Sequence, residues 1–416
     1  MPPTISIITP THNPRWLNET AASVLAQTYH DWEWVIVPNS GVTVADIEST
    51  LPESLRGDPR IKLGSWEDMR GEGADPLGIG LVKNVSFCLA QGDIVLELDH
   101  DDLLVPSALE EVVAAFQQPD VDFVYSDCID FSPTGELVTY HHPERRVAWE
   151  QEGWRFLADE SGKAYPQSWE PSALALSRIM YAPNHLRAWR TGFYASIGGH
   201  SPDYRVCDDH ELLIRTYLKG SMKRIPKLLY RYRVSGDNTW LRDVKLIEST
   251  TESLHYEHMQ ALIMRECELR GGPMIDLGGA IDSPGAPWIP ADASPTRDGI
   301  EVDLAGRWPW PDSSITAFRA YDIIEHLPNK LHTMSEIYRC LKPGGWLLSA
   351  TPSAIGQGAF QDPTHCSYWV ENSFRYYTDR AFARYIRNTE ERFLVGRLFT
   401  TADDIPYVIT ELCSLK

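Results

Sequence analysis

Apolar residues in the first hundred positions follow two different spacings. "TISIITP" (4–10), "WEWVIVP" (32–38) and "DIVLELD" (93–99) are short, nearly continuous apolar runs that stop at polar residues, which reads as buried strands. Between them, "LNETAASVLAQTY" (17–29) and "GIGLVKNVSFCLAQG" (78–92) place apolar residues on one helical face. This βαβαβ rhythm predicts a largely parallel sheet with helices on both faces and ligands beyond the carboxyl ends of the strands. Three polar strand ends then converge: "TPTHN", "PNSG" and "DHDD". A further helix, "PSALEEVVAAFQQ", follows at once, with Pro106 near its first turn.

From about 120 to 240 the chain is rich in Trp, Tyr and Arg and less periodic, as expected of a region that shapes a pocket. It closes with "YRVCDDHELLIRTYLKG", where Leu212, Leu213, Ile214 and Tyr217 give a helix its buried face and Gly220 ends it. An amphipathic run at 244–270 ends at "GGP", and the pattern then restarts. "MIDLGGA", "WIPAD", "GIEVDL", "ITAFRAYDIIEHL" and "GGWLLSATP" read as strands with their turns, and "NKLHTMSEIYRCL" as a helix. The expected division is a domain at 1–243, a helical linker at 244–272 and a second α/β domain at 273–416.

Composition narrows the function classes. A hydrophobic fraction of 43% and an aromatic fraction of 11% suit packed cores. With 58 acidic against 38 basic residues the formal charge is -20, which opposes nucleic-acid or anionic-membrane partners. The seven cysteines are scattered and form no C-x-x-C pair, so reduced thiols in a cytoplasmic protein are expected. The N-terminal residues lack a signal-peptide pattern, and no run approaches the length of a membrane span.

The stretch "IVLELDHDDLLVP" (94–106) carries the sharpest chemistry. Three carboxylates in four positions repel one another unless a cation or strong donors hold them, and a divalent metal is the natural partner. Alternatively Asp102 caps the following helix.

"ISIITPTHNPRWLNETAASVLAQTYHDWEWVIVPNSG" together with "LELDHDDLLVP" resembles the family 2 glycosyltransferases with an A-type nucleotide-sugar-binding fold, over about residues 4–240. The resemblance implies that Pro10, Thr11, Asn13, Asn39 and Lys83 bind the nucleotide sugar. It also implies that Asp99 contacts the ribose and that Asp101, with Asp99, holds Mn²⁺ or Mg²⁺ on the diphosphate. "CDDHELLIR" resembles the family's acidic pair, with Asp209 as the base that deprotonates the acceptor hydroxyl and Asp208 as its neighbour. Closely spaced carboxylates raise one member's pKa toward neutrality, and single displacement inverts the anomeric centre. Two positions depart from the family pattern. Asn39 stands where acidic residues are common, and Ser235 stands where many members have a metal-binding histidine, leaving His210 or water to complete the coordination.

From about residue 273, "MIDLGGA", "ADAS", "EVDLAGRWPWPDSS", "AYDIIEHL" and "LKPGGWLLSATP" resemble the class I S-adenosylmethionine-dependent methyltransferases. The implied cofactor contacts are Asp276, Gly278, Gly279, Asp292 and Asp303. His326, with Asp362 and His365 of "QDPTH", are candidates for activating the acceptor. The expected protein is thus a Rossmann-like glycosyltransferase A-type domain followed by a smaller Rossmann-like methyltransferase domain. The partners implied are a nucleoside diphosphate sugar, UDP-linked by preference, and a glycan or glycoconjugate acceptor. Two other readings stay open: a glycosyltransferase with a methyltransferase-like scaffold, and a non-catalytic glycan-binding module. Trp169, Glu170 and Trp189 are candidates for an acceptor pocket, with core packing the favoured role for the tryptophans.

Overall fold

The structure is a computed structural model that describes residues 4–64, 79–136, 138, 156–158, 164–166, 168–178, 183–236, 238–280, 282–295, 298–386 and 392–416. The chain divides into two compact units, Met1–His258 and Met259–Lys416. The stretch 244–272 holds one 27-residue helix, Val244–Arg270, and the division falls inside it.

The first unit is built on an eight-stranded sheet of order β3-β2-β1-β4-β9-β6-β10-β5. Its strands are β1 (Ile5–Thr11), β2 (Trp32–Pro38), β3 (Ile61–Leu63), β4 (Ile94–Glu97), β5 (Leu103–Leu104), β6 (Phe123–Phe131), β9 (Arg187–Arg190) and β10 (Met222–Arg233). β7 (Phe156–Ala158) and β8 (Ala164–Pro166) pair as a separate two-stranded sheet. Every residue of β1 and β2 is buried, which is why their sequences read as continuous rather than alternating apolar runs. β1 to β4 pair in parallel, but β9 runs antiparallel to both β4 and β6, and β5 runs antiparallel to β10. The block from 120 to 240 therefore extends the central sheet and makes it mixed rather than largely parallel. Trp189, on β9, is fully buried and donates its indole N–H to Thr216 Oγ1 at 3.0 Å, a core role.

Two helix ends lie where the sequence reading put them. Ser107 is the N-cap position of helix Ala108–Phe116, directly after Pro106. Gly220 ends helix Asp208–Lys219 in an extended conformation, and the space decides its identity: a Cβ there would meet the Phe193 ring at 2.4 Å.

A buried relay ties the three strand ends together. Trp34 of β2 donates its indole N–H to Thr9 Oγ1 of β1 at 2.8 Å, and that hydroxyl donates to the Leu98 carbonyl just past β4 at 2.8 Å. Asn39 N–H donates to the Thr11 carbonyl at 2.9 Å, closing the ends of β1 and β2.

The second unit holds a seven-stranded sheet of order β13-β12-β11-β14-β15-β17-β16. Its strands are β11 (Met274–Leu277), β12 (Trp288–Asp292), β13 (Ile300–Glu301), β14 (Ile315–Tyr321), β15 (Leu341–Pro352), β16 (Phe393–Thr400) and β17 (Tyr407–Ser414). Only β17 opposes its neighbours, so this is a doubly wound sheet with its switch between β11 and β14. "LKPGG" belongs to β15, where a register shift against β14 accommodates it. Among the described residues no helix is long and apolar enough to cross a membrane, and all seven cysteines are free thiols.

Thr9→Val keeps the shape of the side chain but strands the Trp34 N–H in the core. It is expected to cost about 1–3 kcal/mol, read as a lower urea midpoint with unchanged slope, whereas a Trp34→Phe, Thr9→Val double variant should recover part of that loss.

Candidate active site

The three strand ends meet as the relay dictates, and the "DHDD" aspartates divide their labour. Asp102 is fully buried and accepts from Tyr230 O–H at 2.8 Å and from Arg233 N–H at 2.6 Å. It therefore anchors the loop and does not cap the following helix. The Tyr230 oxygen also accepts from Asp99 N–H at 3.2 Å, and Arg233 Nε donates to the Asp101 carbonyl at 2.7 Å. No side chain among the described residues donates to the carboxylates of Asp99 or Asp101. Burial pushes Asp99 up to about 6, with Lys83 opposing and Asp101 reinforcing the rise, and burial also raises Asp101. Two neighbouring carboxylates that are half-buried and free of side-chain donors fit a hard cation with oxygen ligands.

A buried ammonium organises the rest. Lys83, on helix Ile79–Leu89, lies 3.3 Å from Glu97 Oε1 at the end of β4 and 3.6 Å from Asp208 Oδ2. His200 Nε2 approaches the same Glu97 oxygen at 2.7 Å, while Tyr194 O–H meets His200 Nδ1 at 2.6 Å. Burial would lower the Lys83 pKa, but Glu97, Asp208, Asp99 and Asp209 together raise it well above its ordinary value. Burial would raise Glu97, yet Lys83 and His200 hold it well below the carboxylate range. Asp209 is paired with the fully buried Arg187, whose Nη1 lies 2.8 Å from its carboxylate.

Of this acidic pair, Asp208 is the member whose pKa rises. Burial raises Asp208 against the pull of Lys83 and His200. Burial also pushes Asp209 upward, but Arg187 and Lys83 outweigh it and hold Asp209 below its ordinary value. Asp209 is therefore ionised at neutral pH. Glu97, Arg187, His200, Tyr230 and Arg233 were not picked out from sequence. Glu97 inside an otherwise apolar strand was the one visible signal, because a buried acid requires a partner.

The other residues fall into place around this centre. Thr11 is fully buried at the end of β1, next to Pro10. Asn39 is buried at the end of β2, and its Oδ1 has no hydrogen-bond partner. The next two residues, Ser40 and Gly41, have positive φ, making a tight turn closed by Val42 N–H to the Asn39 carbonyl at 3.1 Å. Asn13 is exposed and its side chain caps the short helix Pro14–Trp16 by accepting from Arg15 N–H. His210 is buried on helix Asp208–Lys219. Ser235 follows β10, and its N–H donates to Asn238 Oδ1 at 3.0 Å. Glu170 accepts from Tyr125 O–H at 2.9 Å.

In the second unit the glycine turn follows β11. Gly278 has φ +74°, and a Cβ there would lie 2.9 Å from Ile323, while a Cβ on Gly279 would lie 2.6 Å from Asp276 Oδ2. Asp276 is fully buried, bonded through Oδ1 to Arg319 at 2.7 Å, and its Oδ2 has no hydrogen-bond partner. Asp292 and Asp303 each accept a local backbone N–H, from Ser294 and Ala305, through one carboxylate oxygen. His326, Asp362 and His365 come together beside a cavity of about 250 Å³ beyond β14 and β15, which Asp322, Glu325 and Tyr407 also line.

Comparison with known proteins agrees with both halves. Residues 6–165 match the model for glycosyl transferase family 2, and residues 293–349 match a methyltransferase domain model. The chain carries a family 2 glycosyl transferase domain. A methyltransferase-like domain follows it. The O-antigen biosynthesis protein RfbC of Myxococcus xanthus is 27% identical over 56% of this chain but only 16% of its own length. A glycosyltransferase of Nostoc sp., alr2836, is 31% identical over 56% of this chain and 66% of its own. The chain thus spans about a sixth of the first of these relatives. The structure of S. aureus TarS 1–349 in complex with UDP-GlcNAc is 16% identical, covers 64% of this chain and 73% of its own, and gives a TM-score of 0.43.

Two expectations follow for the family 2 domain. A Cβ on Gly80 would sit 2.3 Å from the Ser201 carbonyl and 3.2 Å from Asp208 Cβ. Gly80→Ala should therefore force the Lys83 helix away from Asp208 and lower the thermal midpoint, read by circular dichroism. His185 stacks on Tyr230 at 4.8 Å, and burial, followed by Arg187, lowers its pKa from 6.5 to about 3. Between those values the unfolded chain binds the proton that the folded chain refuses, so this contribution is complete above about pH 6.5 and is lost as pH falls toward 3. Urea unfolding across that window should show a weaker acid dependence in His185→Phe than in the wild type.

Proposed function

We propose that the family 2 domain transfers a sugar from a nucleoside diphosphate donor, UDP-linked by preference, to a hydroxyl of a glycan or glycoconjugate, with inversion. The observation that carries this reading is the single buried cluster in which Lys83 joins the end of β4 to Asp208, with Asp99 and Asp209 in its field. Donor and acceptor chemistry then share one centre. Asp99 and Asp101 would hold Mn²⁺ or Mg²⁺, which when bound neutralises charge building on the departing diphosphate. Asn39 offers its unpartnered Oδ1 to an N–H on the edge of the base, as uracil presents. Asp209, kept ionised by Arg187, accepts the proton of the acceptor hydroxyl as the new bond forms. Lys83 holds Glu97 and Asp208 in place and screens the site's negative charge.

The second domain, in the same proposal, O-methylates a sugar with S-adenosylmethionine. Support comes from the Gly278–Gly279 turn, where only glycine leaves room, and from the orphan oxygen of Asp276 beneath it. Asp292, ending β12, is suited to ribose hydroxyls and Asp303 to the adenine side. That cofactor supplies the electrophilic methyl group; the chain supplies alignment.

Thermal shift with UDP, GDP, CDP and S-adenosylhomocysteine, each with and without Mn²⁺, tests both parts. At ~100 times its dissociation constant a ligand adds about 2.7 kcal/mol of stability. UDP should stabilise only with Mn²⁺, Asp101→Ala should lose that gain, and S-adenosylhomocysteine should stabilise both proteins. Equal UDP stabilisation of Asp101→Ala would refute the cation role.

A further inference from the structure

Glu325, His326 and His365 of the second unit present one donor atom each, all within 4.8 Å of one another. We propose that they form a divalent transition-metal site whose open positions face the adjoining cavity. Glu325 is 2% exposed; its Oε2 accepts from Thr351 O–H at 2.8 Å, and its buried Oε1 has no hydrogen-bond partner. That orphan oxygen points at His365 Nε2, 3.9 Å away. Two hydrogen bonds set the tautomers. His365 Nδ1 lies 3.0 Å from the Ala359 carbonyl, which can only accept, so Nδ1 carries the proton and Nε2 bears a lone pair. Thr364 O–H donates to Asp362 Oδ1 at 2.6 Å, so its oxygen, 3.0 Å from His326 Nδ1, accepts from that nitrogen and again leaves Nε2 as the acceptor.

The result is two imidazole lone pairs and one unpartnered carboxylate oxygen, three acceptors gathered with no donor among them. A cation resolves that arrangement. Two histidines and one carboxylate, each histidine held by a hydrogen bond from its far nitrogen, is the donor set of zinc and other first-row dications with open positions. Ligand atoms on a tetrahedral ion with bonds of about 2.1 Å lie about 3.4 Å apart, so the Glu325–His365 pair at 3.9 Å and the whole set within 4.8 Å would draw together on binding. The cavity beside it holds about 250 Å³ and is walled by Asp322, Asp362 and Tyr407, polar groups suited to a hydroxylated ligand bound to the metal. Were that ligand the methyl acceptor, the ion would lower the pKa of its hydroxyl; this role rests on the methylation reading, whereas the metal site does not.

Titration of Co²⁺ into the full-length Asp101→Ala protein, which lacks an intact first-unit aspartate pair, tests the site by visible absorption without any cofactor. One equivalent should produce strong d–d bands of a four- or five-coordinate nitrogen-containing site, displaced by Zn²⁺. His326→Gln and His365→Gln in that background should abolish them. Absence of the bands, or their persistence in both variants, overturns the proposal. If circular dichroism shows that either variant fails to fold, Thr364→Val replaces it: it frees the His326 ring without removing a ligand and should weaken Co²⁺ binding at least tenfold, and unchanged affinity would refute the site. S-adenosylhomocysteine binding, measured separately by calorimetry, reports on the methylation reading alone.

Discussion

The first unit depends on one buried positive charge. The Lys83 ammonium sits among Glu97, Asp208, Asp99 and Asp209, and removing any buried partner of such a group leaves an uncompensated charge worth several kcal/mol. Its position fixes three elements at once: the end of β4 through Glu97, helix Asp208–Lys219 through Asp208, and helix Ile79–Leu89 on which it rides. Close approach of the two helices is possible because Gly80 faces the Ser201 carbonyl without a side chain. The cluster is stable as a set and unstable in parts, so the fold and the candidate chemistry cannot vary independently.

Carboxylates at this site take opposite roles because their surroundings differ. Asp102 is consumed by Tyr230 and Arg233 and sets the loop. Asp99 and Asp101 have no side-chain donor among the described residues, and burial raises the pKa of both. Asp209 has its own guanidinium, so it remains an anion with or without a ligand. One short acidic motif thus supplies an anchor and the proposed cation cradle, and a second motif supplies the proposed base.

The strand ends were legible in the sequence because fully buried parallel strands leave little choice of residue: β1 and β2 are apolar throughout and turn polar where they emerge. Asp99 and Asp101 were visible for the same reason, as charge where an apolar run stops, and Asp208 and Asp209 as an acidic pair at the start of a helix. Their partners were not. Arg187 and His200 lie far along the chain from Glu97, in a stretch whose spacing carries no clear period, and only the antiparallel insertion of β9 between β4 and β6 brings Arg187 to Asp209. Which member of the Asp208–Asp209 pair is raised was not legible for that reason: adjacency in sequence says that two acids repel, and the tertiary position of one arginine decides which of them yields.

The second unit shows the complementary case. Its glycine turn and the aspartates ending its strands lie close in sequence and read as a pattern, while Glu325, His326 and His365 come from two segments that meet only beyond β14. Local hydrogen bonds there orient the two rings as Lys83 orients the first unit, each held through its Nδ1. An all-oxygen pair such as Asp99 and Asp101 suits a hard ion that keeps its waters, and a nitrogen-rich set suits a borderline one. By donor chemistry alone, the two proposed sites would select different metals.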